Sequence, residues 1–148
     1  MQALEGIKVL DFCRNAPGMF ATTVLADLGA DVLMIERPMD ETRAAYEKLV
    51  AGIDGEDDER RHAAFNALQR NKRSLALNLK RFEAQEIFQK LAETADVVVE
   101  GFRPGVMDRL GAGYEKGRSI NPRAVYCSVS GYGQDGPYSQ MAGHDINY

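Results

Sequence analysis

The chain has 148 residues, 45% of them hydrophobic and 27% charged, a balance that suits one domain with its own core and argues against a disordered chain. Its 18 Lys+Arg against 22 Asp+Glu leave a net charge of −4, which disfavours a general binder of nucleic acid or anionic membrane. No apolar run reaches the ~18 residues of a membrane span, and the opening residues lack the pattern of a secretory signal. Cys13 and Cys127 lack CxxC or zinc spacing, so the expectation is a soluble cytosolic protein with two buried, reduced thiols.

Residues 7–12, Ile7-Lys8-Val9-Leu10-Asp11-Phe12, form a short apolar run entered through Gly6 and are predicted to be a strand. Pro17 suits the first turn of a helix, where a missing N–H costs nothing. Phe20, Val24, Leu25 and Leu28 follow at helical spacing, and Gly29 supplies the C-terminal cap. Asp31-Val32-Leu33-Met34-Ile35-Glu36 reads as a second strand, apolar enough to be buried on both faces of a parallel sheet, and Pro38 stops it.

Residues 39–70 break that rhythm. Two helical pieces, 41–51 and 60–69, flank the charge run Asp54-Gly55-Glu56-Asp57-Asp58-Glu59-Arg60-Arg61, which reads as a solvated surface excursion before it reads as a partner-binding segment. The alternation resumes with a strand over 74–79 that places Leu75, Leu77 and Leu79 on one side. Phe82, Ile87, Phe88 and Leu91 mark a helix through residue 94, and Val97-Val98-Val99 forms the next strand. Short helices over 106–110 and 114–120, a strand over 124–129 and a turn-rich loop over 131–137 follow. Strands alternating with helices predict an α/β fold with a parallel sheet. The chain stops at Tyr148, just after a polar constellation that reads as the start of a helix, so the N-terminal part of a longer protein is expected.

Strand, turn, helix and a second strand ending in an acidic residue suggest a dinucleotide-binding unit. However, Asn15-Ala16-Pro17-Gly18 stands where GxGxxG should be, and without those glycines a pyrophosphate cannot approach the first helix closely. Arg37, just after the second strand, reads either as a contact to a ribose phosphate or as a surface arginine paired with Glu36 or Asp40. Lys72 and Arg73 precede the predicted third strand, Lys80 follows it, and Arg103 follows the fourth. In parallel α/β sheets ligands bind outside the carboxyl ends of the strands, so Arg37, Lys80 and Arg103 converging there would suit a ligand with several phosphates.

His144, followed by Asp145, reads either as a general acid/base or as a helix-start histidine beside a capping carboxylate; His62 is the other histidine. Asp27 and Asp108 show no partner pattern and are expected on helix surfaces. No Ser-His-Asp constellation, nucleophile elbow, P-loop or metal-ligand spacing is present.

Several blocks, in order, resemble the family III CoA-transferases (the CaiB/BaiF family). They include Gly6-Ile7-Lys8-Val9-Leu10-Asp11, Ala16-Pro17-Gly18, Leu25-Ala26-Asp27-Leu28-Gly29-Ala30-Asp31-Val32 and Ile35-Glu36-Arg37-Pro38. Further along come Asn71-Lys72-Arg73-Ser74-Leu75-Ala76-Leu77-Asn78-Leu79-Lys80, Ala95-Asp96-Val97-Val98-Val99-Glu100-Gly101-Phe102-Arg103-Pro104-Gly105 and Ser130-Gly131-Tyr132-Gly133-Gln134-Asp135-Gly136-Pro137. Within that family, Gly143-His144-Asp145-Ile146-Asn147-Tyr148 is similar to the motif of the α-methylacyl-CoA racemases.

The resemblance implies an incomplete N-terminal CoA-binding α/β domain over 1–148, with roughly 39–64 a variable charged excursion. It implies that His144 is one of two acid/base groups on the substrate α-carbon. CoA contacts would fall on Arg37, Leu77, Asn78, Leu79, Lys80 and Arg103, and on Gly143, Asp145, Ile146, Asn147 and Tyr148. It further implies an acyl-CoA thioester as substrate with no cofactor, and a homodimer interlocked in the full-length protein. The second catalytic residue would be an aspartate beyond Tyr148, which in the transferases carries the acyl group instead.

Overall fold

The computed structural model describes residues 2–38 and 67–143. Nine elements follow in chain order: β1 (Lys8–Phe12), α1 (Ala16–Asp27), β2 (Asp31–Glu36), β3 (Lys72–Ala76), α2 (Phe82–Ala92), β4 (Val97–Glu100), α3 (Val106–Arg109), α4 (Tyr114–Ile120) and β5 (Val125–Ser128). The strands make one parallel sheet in the order β3-β2-β1-β4-β5. The expected parallel α/β fold is therefore the observed one. The helical piece expected over 41–51, the charge run and residues 60–66 of the second expected piece, 60–69, lie outside the described residues; of that piece's end, residue 67 is helical and 68–69 form a turn.

Alternation along each strand separates two cores. Leu10, Phe12, Ile35 and Val98 pack with Ala84, Phe88 and Ala92 of α2 and Met107 of α3 on one face. Phe88, fully buried, meets the edge of Phe12 at 5.8 Å between ring centroids, the arrangement aromatic quadrupoles favour. On the other face Val9, Cys13, Val32 and Val99 pack with Met19 and Ala26 of α1. Helices on opposite faces of one parallel sheet make it doubly wound.

Pro17 does sit in the first turn of α1, and Gly29 ends that helix at φ +101°. Its amide donates to the Ala26 carbonyl, and the Ala30 amide to that of Leu25, the paired bonds of a Schellman cap. The face that α1 buries is a correction to its apolar spacing. Phe20, Val24 and Leu28 point to solvent, whereas Gly18, Met19, Thr22, Thr23 and Ala26 face the sheet. The sheet beneath carries a charged residue, Asp11, and the Thr22 hydroxyl satisfies it where a leucine would not. Gly18 is needed for closeness: a Cβ there would stand 2.8 Å from the Cys13 Cβ.

The third strand is shifted. It runs Lys72–Ala76 and not over 74–79, so Lys72 and Arg73 lie within it and Leu77, Asn78 and Leu79 lie beyond. The ladder ends because β2 ends: the Leu77 amide makes the last bond, to the Glu36 carbonyl at 2.8 Å, and Pro38 follows two residues later. Leu77 and Leu79 still pack on the α2-side core, from a turn. Cys127 departs from the expected burial too. It lies exposed on the edge strand β5, beside Val125 at 62% exposure.

Candidate functional site at the carboxyl edge

After β1 the chain moves to β2 and β3; after β4 it moves the opposite way, to β5. The crevice between the carboxyl ends of β1 and β4 is thus the point where strand order reverses, the usual ligand position in such sheets. Cys13, Arg14 and Asn15 form one wall, and Gly101, Phe102 and Arg103 form the other. The Arg14 guanidinium lies 6.0 Å above the Phe102 ring, so the two walls meet through a cation–π contact. Buried Glu100 shapes the second wall, its Oε2 accepting the Phe102 amide at 2.7 Å. A cavity of about 160 Å³ beside the first wall is lined by Cys13, Arg14, Met19, Met34, Ile35, Glu36 and Gln69.

The four strands β1 to β4 each deliver a cation to this edge. Arg14 follows β1, Arg37 follows β2, Lys80 lies in the turn after β3, and Arg103 follows β4, all exposed. The structure therefore brings the three predicted cations to one edge and adds Arg14, which the sequence reading missed. Asn78 builds the turn that carries Lys80: its carbonyl accepts the Arg81 amide at 2.8 Å and its Oδ1 the Lys80 amide at 3.2 Å. The N-terminus of α1 opens on the same edge. Asn15 occupies the capping position without a side-chain bond to the helix, and a helix start of this kind attracts anions. Gly143 is described and half-buried; His144, Asp145, Ile146, Asn147 and Tyr148, like His62, lie outside the described residues.

Beneath the first wall lies a buried ionic cluster. The Lys72 ammonium donates to Asp11 Oδ2 at 3.0 Å, to Thr22 Oγ1 at 2.7 Å and to the Met19 carbonyl at 2.9 Å. Thr22 Oγ1 donates in turn to Asp11 Oδ2 at 2.6 Å, and Asp11 Oδ1 accepts the Cys13 amide at 2.9 Å. Neither charged side chain has any solvent exposure, and all three ammonium donors are used. The signal was present in the sequence: an aspartate inside an apolar strand needs a partner. Asp27 lies on the helix surface as expected, and it has partners that the sequence pattern did not show. It binds Arg70 and, at 2.8 Å, the Asn71 amide nitrogen, and the Arg70 hydrogen bond holds its carboxyl below the usual range. Those contacts tie α1 to the entrance of β3.

The Cys13 thiol on the crevice wall is buried. Burial pushes its pKa far up, and the Asp11 charge adds to this, so no thiolate forms at neutral pH. Burial raises the Tyr126 hydroxyl as well, which donates to the Ala112 carbonyl at 3.0 Å. Both groups therefore stay neutral in the folded chain at a pH where the unfolded chain ionises them, and the unfolded state binds fewer protons there. Stability must fall as pH rises through about 9 to 10, the ordinary range for cysteine and tyrosine. Urea denaturation between pH 8 and 10.5 should show a midpoint that declines steadily, with Cys13→Ala flattening the lower part of that decline.

Strand order, switch-point crevice and cation-lined edge define a class: a doubly wound α/β domain with basic residues where such sheets take ligands. The chain belongs to CoA-transferase family III, whose family model matches residues 4–148. It is 42% identical over 147 residues to human succinyl-CoA:glutarate CoA-transferase, covering 98% of this chain and 32% of that protein. It is 40% identical over 145 residues to mouse alpha-methylacyl-CoA racemase, again covering 98% and 32%. Among solved structures, a CAIB/BAIF family protein from Brucella suis superposes with a TM-score of 0.78 at 33% identity, covering 99% of this chain and 38% of that one. The chain thus spans about a third of the length of the curated relatives it matches.

Proposed function

We propose that this chain is the CoA-binding α/β part of a longer acyl-CoA enzyme, and that CoA lies along the carboxyl edge. The observation that carries this reading is the row of four cations, one after each of β1 to β4. A ligand with a pyrophosphate and a 3′-phosphate spans several strands and offers more than one anionic group to that row. In this reading Arg14, Arg37, Lys80 and Arg103 hold phosphates, and the α1 N-terminus adds backbone donors. Leu77, Asn78 and Leu79 shape the turn beside Lys80, while Gly143, Asp145, Ile146, Asn147 and Tyr148 are the further CoA contacts that the family motif implies.

For the reaction we propose racemisation at the α-carbon of a 2-methylacyl-CoA, without a cofactor. His144 removes the α-proton from one face, a second acid elsewhere in the longer protein returns it from the other, and backbone donors stabilise the enolate oxygen. Support comes from the Gly143-His144-Asp145-Ile146-Asn147-Tyr148 motif and from the similarity to a racemase. Identity of 42% to succinyl-CoA:glutarate CoA-transferase, against 40% to the racemase, supports a second reading, transfer of CoA between carboxylic acids through an aspartyl-CoA intermediate. The longer enzyme would work as a homodimer, consistent with the exposed Phe20, Val24, Leu28 and Val125, apolar groups that association would cover.

The placement of CoA has a direct test. Arg37→Ala should weaken CoA about tenfold to a hundredfold, the value of one charge-assisted phosphate contact, and should weaken dephospho-CoA far less, because only CoA carries the 3′-phosphate. Calorimetry showing equal loss for both ligands would remove Arg37 from that role.

A further inference from the structure

The Asp11–Lys72–Thr22 cluster is an expensive thing to place under an apolar strand. Burying two charges costs more than their attraction returns in many proteins, and apolar replacements of similar volume are often as stable. Its geometry points to another use. Asp11 is the last charged residue of β1 before the crevice wall, and its Oδ1 accepts the amide of Cys13, the first residue of that wall. Its Oδ2 is held by Thr22 of α1 and by Lys72 of β3, while Lys72 also grips the Met19 carbonyl in the first turns of α1. One carboxylate therefore links the end of β1, the start of α1 and the outer strand β3. The segment between those ties is Cys13-Arg14-Asn15, the wall that places Arg14 over Phe102.

We infer that Asp11, Lys72 and Thr22 are positioning residues: they fix the β1–α1 turn so that Arg14 and Asn15 stand correctly over the switch-point crevice. The ligand part of this inference rests on the proposed binding of CoA there. Without the cluster, the Cys13 amide loses its acceptor and the start of α1 loses its tie to β3, leaving only the Asp27 contacts at the far end of the helix, so the turn moves even where the sheet beneath it stays folded.

The test compares the native chain with Asp11→Val/Lys72→Met/Thr22→Val, which exchanges the cluster for apolar groups and leaves no buried charge behind. Amide hydrogen exchange and CoA calorimetry are read on both. Exchange at Cys13 should accelerate by about tenfold or more, as expected for the loss of a charge-assisted bond, while Val9 and Val98 keep native protection. CoA affinity should fall by about the same factor at an unchanged melting temperature. Thr22→Val and Thr22→Ser supply a second arm should the triple variant not fold: serine keeps the hydroxyl and should keep slow exchange at Cys13, whereas valine should not.

Native exchange at Cys13 in a folded triple variant, or identical Cys13 exchange in Thr22→Val and Thr22→Ser, would overturn the inference whatever CoA does. A loosened turn in a chain whose native form ignores CoA would support the positioning role and sink the CoA reading instead.

Discussion

Replacing Lys72 by methionine is expected to cost about 3–5 kcal/mol, the loss seen when one partner of a buried ion pair is removed. Methionine nearly matches lysine in volume, so packing changes little. What remains is Asp11, fully buried, with its carboxylate short of the one cation that compensates it. Folded domains have about 5–15 kcal/mol of stability, so the loss takes a large share of it. The urea midpoint should drop sharply with an unchanged slope. Arg73→Met, one residue away, provides the contrast. Arg73 pairs with Asp31 at 2.6 Å, but both side chains are substantially exposed, and such surface pairs contribute about 0–1 kcal/mol. A Lys72→Met loss no larger than the Arg73→Met loss would contradict the account of the buried cluster.

The second large effect concerns the proposed acyl-CoA enzyme. If His144 takes the α-proton, His144→Ala should slow exchange of that proton with deuterated solvent by about 10²–10⁴-fold, the usual contribution of a general base. Binding of the same acyl-CoA should change little. Exchange from one enantiomer should suffer more than from the other, because each face of the α-carbon has its own acid/base group. A transferase would give the opposite pattern: an acyl-enzyme anhydride trapped by hydroxylamine, no deuterium at the α-carbon, and only a modest effect of losing His144.

How much of this was legible in the sequence varies by element. β1, β2 and β4 were readable because short apolar runs ended by Gly, Pro or charged residues permit little else, and the parallel sheet followed from their alternation with helices. The end of β3 was not. Leu75, Leu77 and Leu79 keep a period of two on into the turn, because the core there takes apolar side chains from strand and turn alike; only the stop in the neighbouring strand β2 ends the ladder. The facing of α1 was hidden for a related reason. Phe20, Val24 and Leu28 look like a core stripe by spacing, but the strand below carries Asp11, and a buried carboxylate selects Thr22 over any of them. Cys127 could not be placed, since whether β5 lies at an edge depends on strand order, which periodicity does not encode.

For the site, three cations were readable from their positions just after strands. Arg14 was not, because its meaning depends on β4 lying next to β1, a pairing between segments about ninety residues apart. Lys72 was misplaced outside the sheet, so its tie to Asp11, sixty-one residues away in sequence, had no reason to be drawn. Both omissions are long-range contacts, and both gather at the place where the strand order reverses.

The central claim, that CoA lies along the carboxyl edge, is tested most directly by titrating the isotopically labelled chain with CoA and following its backbone amide resonances. The amides of Arg14, Asn15, Arg37, Lys80, Phe102 and Arg103 should shift together with a single affinity. Those of Lys8, Asp31 and Asp96, at the opposite edge of the same strands, should stay in place. Shifts centred on Lys8, Asp31 and Asp96, or no saturable shift at the carboxyl edge, would contradict it.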